Sequence, residues 1–177
     1  MNTNSMSQYE LIDEIENAHQ DLFHQLSQFS EQELNRVTNE GSWTAGQVTE
    51  HIIKSNGGIL HNLLNGDVSP IARAYDEQVD LIKTIFRSGD KMKTAPVLEP
   101  GQPPHEFDDL LKSLKQQKDQ QLETINQKDL KELSIELQFP PTPNGLTRFE
   151  WLIFMIEHTK RHCKQIENIY NSLKPHN

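Results

Sequence analysis

Apolar side chains return every three or four positions over four long stretches of the chain, the period of an α-helix that buries one face. Leu11, Ile15, Leu22, Leu26 and Phe29 mark the first stripe, and Val48, His51, Ile52, Ser55, Ile59 and Leu63 the second. Phe107, Leu110, Leu111, Leu114 and Leu122 mark the third. Leu152, Met155, Ile156, Thr159, Cys163, Ile166, Ile169 and Tyr170 mark the fourth. Three of these stretches open on a capping box, in which a hydroxyl and a residue three positions on satisfy each other's free backbone N–H groups: Ser7 with Glu10, Thr44 with Gln47, and Thr147 with Glu150. The spacing predicts helices from Ser7 to between Ser27 and Ser30, from Thr44 to about Asn65, from about Glu106 to Lys128, and from Thr147 to about Leu173. Pro175 is expected to stop the last. A short helical turn is expected at Glu31 to Asn35. Ser69 followed by Pro70 reads as an N-cap with proline at the first helical position, predicting a helical stretch through about Phe86. Gly57 and Gly58 weaken the second helix by about 1 kcal/mol each relative to alanine, and allow close backbone approach.

The connections are long. Ser88 to Pro104 holds four prolines and reads as irregular; loops of that length in compact domains often serve as covers. Leu130 to Leu146 is a second crossover, extended at LSIELQF and broken by Pro140, Pro141 and Pro143. Together the pattern predicts an all-α protein, a four-helix bundle with long crossover connections and short extra helices, folding as a single domain over residues 1–177.

Composition narrows the function. A net charge of −9 repels a phosphate backbone, and the nearest approach to a basic patch, Lys112, Lys115 and Lys118, is ringed by Asp108, Asp109, Asp119 and Glu123. Nucleic acid is not an expected partner. The longest apolar run, Trp151 to Ile156, is far too short to span a membrane. Cys163 is the only cysteine and cannot form an intramolecular bridge. With no apolar leader near Met1, a reduced cytoplasmic protein is the expectation.

Three histidines sit where aliphatic residues belong. His162 lies seven residues from Met155 and falls on the buried stripe, His158 lies at its edge, and His51 sits between Val48 and Ile52 on another helix. An HxxxH pair alone is weak, since eight histidines in 177 residues give about one third of such a pair by chance. The phase says more. Each buried unpaired polar group costs about 1–3 kcal/mol, and a shared divalent cation would satisfy all three imidazoles at once. Neutral imidazole suits zinc, nickel, copper or iron, and three ligands leave a position open. The alternative is that these are hydrogen-bonded core or edge residues. Gln47, Ser55 and Gln165 stand at offsets that let them hold the outer nitrogens. Of the rest, His19 reads as helix-edge packing, Cys163 as a buried small hydrophobe, and His24, His61, His105 and His176 as bystanders.

The segment GSWTAGQVTEHI resembles the second-helix signature of the DinB-like superfamily, in which a tryptophan and a capping turn precede a helix bearing the first metal histidine. FEWLIFMIEHTKRHCKQIENI resembles its last helix, with HxxxH followed three residues on by glutamine, and KTAPVLEPGQPP fits one branch. The resemblance spans most of the chain. It implies a three-histidine divalent metal site, with His51, His158 and His162 as ligands, zinc or nickel ahead of iron or manganese, and a homodimer. Branches of the superfamily include thiol S-transferases and isomerases that use bacillithiol, mycothiol or glutathione. By that resemblance the chain is expected to be a metal-dependent thiol S-transferase acting on a small molecule in detoxification or stress response, with a low-molecular-weight thiol as cosubstrate. A metal-dependent hydrolase is the second expectation; it needs a carboxylate base, and Glu50 and Glu157, beside the ligands in sequence, point about a quarter-turn away. A metal-binding dimeric bundle without catalysis is the third.

Overall fold

The computed structural model describes residues 6–90 and 92–174. Its long helices are α1 (Gln8–Leu26), α3 (Ala45–Asn65), α5 (Phe107–Gln127) and α6 (Arg148–Leu173). The short ones are α2 (Glu31–Leu34) and α4 (Val79–Arg87), with a single 3₁₀ turn at Pro96–Leu98. Reciprocal capping boxes start α1, α3 and α6 where the sequence places them. A fourth, Ser30 with Glu33, starts α2. The expected stop at Pro175, and His176, lie outside the described residues. Among the described residues no helix is long and apolar enough to cross a membrane.

The long helices close a ring in the order α1, α6, α3, α5, with α4 lying against α6. Side-chain pairs give the directions. Glu14 pairs with Lys160 and Phe29 with Tyr170, so α1 and α6 run parallel. Asn56 pairs with Thr159 and the Leu63 carbonyl with Arg148, so α3 and α6 run antiparallel. Gln117 reaches the Ile53 carbonyl, and His105, just before α5, reaches Glu50, so α3 and α5 also run parallel; parallel neighbours cannot be joined by a tight turn, which is why the crossover between those two is long.

Two apolar clusters fill the ring. One gathers Leu11, Ile15, Leu60, Leu63, Ile82 and Leu152, and the other Leu22, Leu26, Val48, Ile52, Leu114 and Ile166. Buried polar groups lie in the interior as well: His19 Nε2 bonds Gln121 Oε1 at 3.0 Å, and Asn56 Nδ2 bonds Thr159 Oγ1 at 3.3 Å. His19, read from the sequence as an edge residue, is therefore interior; the amide of Gln121 opposite it is what makes burial tolerable. The aromatic residues Phe149 and Trp151 are core, and Phe154 packs half-buried against them.

One expectation fails. Ser69 is no N-cap: Val68–Ser69 pairs antiparallel with Leu133–Ser134, and the following helix begins only at Val79. The Ser-Pro signal is local, and a distant carboxylate overrides it. Glu150, fully buried at the first turn of α6, takes both Arg73 guanidinium nitrogens at 2.7 Å and the Gln78 N–H at 2.8 Å. Reaching it holds residues 70–78 out of a helix. The extended stretch read at LSIELQF is realised only at its first two residues.

The two adjacent glycines of α3 differ. A Cβ on Gly57 would meet Gln117 Nε2 at 3.2 Å, where that amide reaches the Ile53 carbonyl, whereas a Cβ on Gly58 meets nothing within 4 Å. Gly58→Ala is expected to raise stability by about 0.5–1 kcal/mol in urea denaturation, the helix propensity gain. Gly57→Ala is expected to lose that gain by displacing Gln117. Equal effects at the two positions would show that close approach plays no part.

Candidate metal centre

Antiparallel packing of α3 against α6 brings the first turns of one beside the middle of the other, and with them the three histidines. His51 Nε2 lies 3.2 Å from His158 Nε2, and His162 Nε2 lies 3.1 Å from it. One ligand atom from each falls within 4.8 Å of the others, so a single ion can reach all three. Bonds of about 2.0–2.1 Å at tetrahedral angles put ligand nitrogens about 3.3 Å apart, close to the two separations from His158. His51 and His158 are buried and His162 is half-buried.

Hydrogen bonds at the outer nitrogens decide where the lone pairs point. His51 Nδ1 lies 2.9 Å from the Leu98 carbonyl, which can only accept, so Nδ1 carries the proton and Nε2 is bare. His162 Nδ1 lies 2.8 Å from Gln165 Oε1, which fixes the same tautomer. Two bare nitrogens thus face His158 Nε2 from opposite helices. A proton there can serve only one of them, and His158 Nδ1 is buried without a partner whichever nitrogen is protonated. The cluster cannot satisfy itself. A cation among the three Nε2 atoms accepts every lone pair, and in this sense the donor set fits a divalent ion.

Burial also keeps the rings neutral, as ligands must be. It pushes His51 below the ordinary range against the pull of the Leu98 hydrogen bond, and takes His162 down to about 4. His158 is also driven well below its ordinary range, by burial and then by its two histidine neighbours and Arg161. Rings close the surroundings: Trp43 lies 5.2 Å from His51, and Phe86 and Phe154 lie 5.8 and 6.0 Å from His158, centre to centre.

The second ring of contacts differs in part from the sequence expectation. Gln165 holds His162 as its offset predicts. Gln47 and Ser55 do not hold His51, because Leu98 occupies Nδ1, and the Gln47 side chain is engaged by the Thr44 N–H and the Gly101 carbonyl. A backbone carbonyl has no signature in sequence; the only hint was the proline-rich length of the segment that carries it. Both carboxylates beside the ligands are committed elsewhere. Glu157 is buried and ion-paired with Arg87 at 2.7 Å, and Glu50 takes the Gly101 N–H at 2.6 Å and His105 Nε2 at 2.8 Å. His105 is thus a working part of this wall, which the sequence reading missed. Cys163 is half-buried, and burial followed by Asp21 and Glu167 pushes its thiol up to about 11, so it stays protonated at neutral pH.

No curated protein and no solved structure matches the chain at a significant level. Residues 14–166 match the family model described as the DinB superfamily, a span that takes in both histidine segments and the four-helix ring. The chain belongs to the DinB superfamily.

Proposed function

We propose that the chain holds one divalent transition metal, zinc or nickel ahead of iron or manganese, on His51, His158 and His162, and that it is a thiol S-transferase acting in detoxification or stress response. The observation that carries the metal is the convergence of three Nε2 atoms with their tautomers fixed from outside. Family membership supports it, since the superfamily is metal-binding. When bound, such an ion retains its full dipositive charge, there being no anionic ligand in the triad, and that charge would lower the pKa of a thiol or water beside it.

The chain's own groups favour a thiol over water. Hydrolysis is served by a carboxylate that shuttles a proton from the attacking water to the leaving group, and the two carboxylates flanking the ligands are occupied by Arg87 and by Gly101 with His105. A thiol brought in as cosubstrate requires no such base once its pKa is lowered. Cys163 does not supply the sulfur, because its proton is held to about 11. Phe86, Phe154 and Trp43 pack their rings against the imidazoles of His51 and His158. The same reading takes the protein as a homodimer, on the strength of the family, and as cytoplasmic, on the strength of its single cysteine.

The test is elemental analysis of protein purified without a nickel column, followed by thiol consumption against an aryl halide with glutathione, bacillithiol and mycothiol. About one metal per chain is expected, with thiol loss that persists in Cys163→Ser and disappears in His158→Ala His162→Ala. A wild type that cannot be loaded with zinc, nickel, iron or manganese would remove the metal. A loaded protein that consumes none of the thiols would remove the transferase.

A further inference from the structure

The crossover between α4 and α5 is strapped across the start of α3. From Leu98 to His105 it meets α3 through a row of polar contacts made by four α3 side chains. His51 Nδ1 donates to the Leu98 carbonyl, Lys54 Nζ to the Glu99 carbonyl at 2.8 Å, and Gln47 Nε2 to the Gly101 carbonyl at 3.0 Å. Glu50 Oε2 accepts from the Gly101 N–H and from His105 Nε2, at 2.6 and 2.8 Å. Its other oxygen lies 3.2 Å from Lys54 Nζ. At the end of the strap, Asn35 clamps His105 at both backbone groups, its Oδ1 taking the N–H at 2.6 Å and its Nδ2 reaching the carbonyl at 3.0 Å.

Glu50 is the hub of this row. It precedes His51 by one residue, so its side chain leaves the helix about 100° from the imidazole and reaches over the strap rather than into the bundle. It alone gathers a strap backbone N–H, a strap side chain and Lys54. The contact it secures by doing so is Leu98 on His51. Were that carbonyl to leave, nothing would hold the proton on Nδ1, and His51 could place its proton on Nε2, toward the other two histidines.

We propose that Glu50 is a positioning residue for the metal centre: by pinning Gly101 and His105 it keeps the Leu98 carbonyl on His51 Nδ1 and so keeps the His51 Nε2 lone pair on the ion. This rests on the metal reading given above. It assigns the strap a role distinct from a lid that swings freely over a pocket, since the strap supplies the outer hydrogen bond of a ligand. Loss of such an outer partner lowers metal affinity about 10–100-fold, and that is the scale expected for Glu50→Ala.

The experiment uses cobalt(II) as the probe, in wild type, Glu50→Ala and Glu50→Gln. Glutamine keeps an acceptor for the Gly101 N–H and for His105 but lacks the charge that faces Lys54. Hydrogen–deuterium exchange on metal-free protein reports whether the strap amides are released, and far-UV circular dichroism checks the helices. In Glu50→Ala, faster exchange at Leu98 to Gly101 is expected. Cobalt release to a chelator should be at least 10-fold faster, with a changed visible spectrum from the altered coordination. Glu50→Gln should recover most of the wild-type release rate and spectrum, which a loss of general stability would not explain. If Glu50→Ala fails to fold, Glu50→Met, which keeps a good helix former but removes both acceptors, decides in its place: faster strap exchange together with faster cobalt release supports the role, and unchanged cobalt release overturns it. Cobalt release and spectrum unchanged in Glu50→Ala, with wild type loading normally, would overturn the role of Glu50 and leave the metal site standing. A wild type that takes up no cobalt would overturn the metal reading itself, and this role with it.

Discussion

His158→Leu is expected to make the metal-free protein more stable and the metal-supplied protein less stable than wild type. His158 is buried, its Nδ1 has no partner, and its Nε2 faces two bare nitrogens. Without an ion this arrangement costs about 1–3 kcal/mol, the penalty of a buried polar group left unpaired, and a leucine of similar size removes it. With an ion the balance reverses. A ligand present at a thousand times its dissociation constant stabilises the folded chain by about 4 kcal/mol, and a variant lacking the central imidazole should lose nearly all of that gain. Urea denaturation with chelator and again with zinc gives four midpoints, and the order of the two proteins should invert between the pairs. If the metal-free variant were weaker than wild type by more than about 1 kcal/mol, the imidazole would be an ordinary satisfied packing residue.

Arg73→Ala is expected to cost about 3–5 kcal/mol, the usual result of removing one partner from a buried ion pair. Glu150 has no exposed surface, and its guanidinium partner is itself mostly buried. The carboxylate would keep the Gln78 and Thr147 N–H groups, which hold the loss toward the lower end of that range. The same carboxylate closes the capping box of α6, so the variant should also fray the first turn of the helix that carries two of the three histidines. Glu150→Gln in the Arg73→Ala background should recover part of the loss, because a neutral amide is cheaper to leave unpaired than a charge. A loss below about 1 kcal/mol would mean that water reaches Glu150 once the arginine is gone.

How much of this was legible in the sequence depends on range. Capping boxes are patterns of four residues, so three were read directly; the fourth, Ser30 with Glu33, carries the same signature and was passed over because its helix is a single turn. The histidines were legible through phase, although it places His162 on the buried stripe and His158 at its edge, whereas His158 is buried and His162 half-buried; Gln165 was legible through its place one turn beyond His162. What failed was whatever one segment does for another. Ser69 and Pro70 look like a helix start in isolation, and nothing near them announces that Arg73 will be drawn to Glu150, 77 residues on. Leu98 was invisible for a different reason: it acts through its carbonyl, which every residue has. Glu50 and His105 were read singly, one as a doubtful base and the other as a bystander, because their pairing exists only once the strap lies on α3.

The order of helices around the ring has a consequence for synthesis. His51 and His158 are 107 residues apart, and the helix that supplies the second and third imidazoles follows every other element of the ring. While the chain is being made, α1, α3 and α5 emerge first, and of these three only α3 carries one of the three histidines. Until α6 arrives, the pocket offers one lone imidazole, too weak a grip to select any metal. On the metal reading, capture is therefore confined to a chain in which α6 has already emerged. The ion, when it comes, meets a bundle already closing around it and not a nascent segment free to bind whatever is at hand.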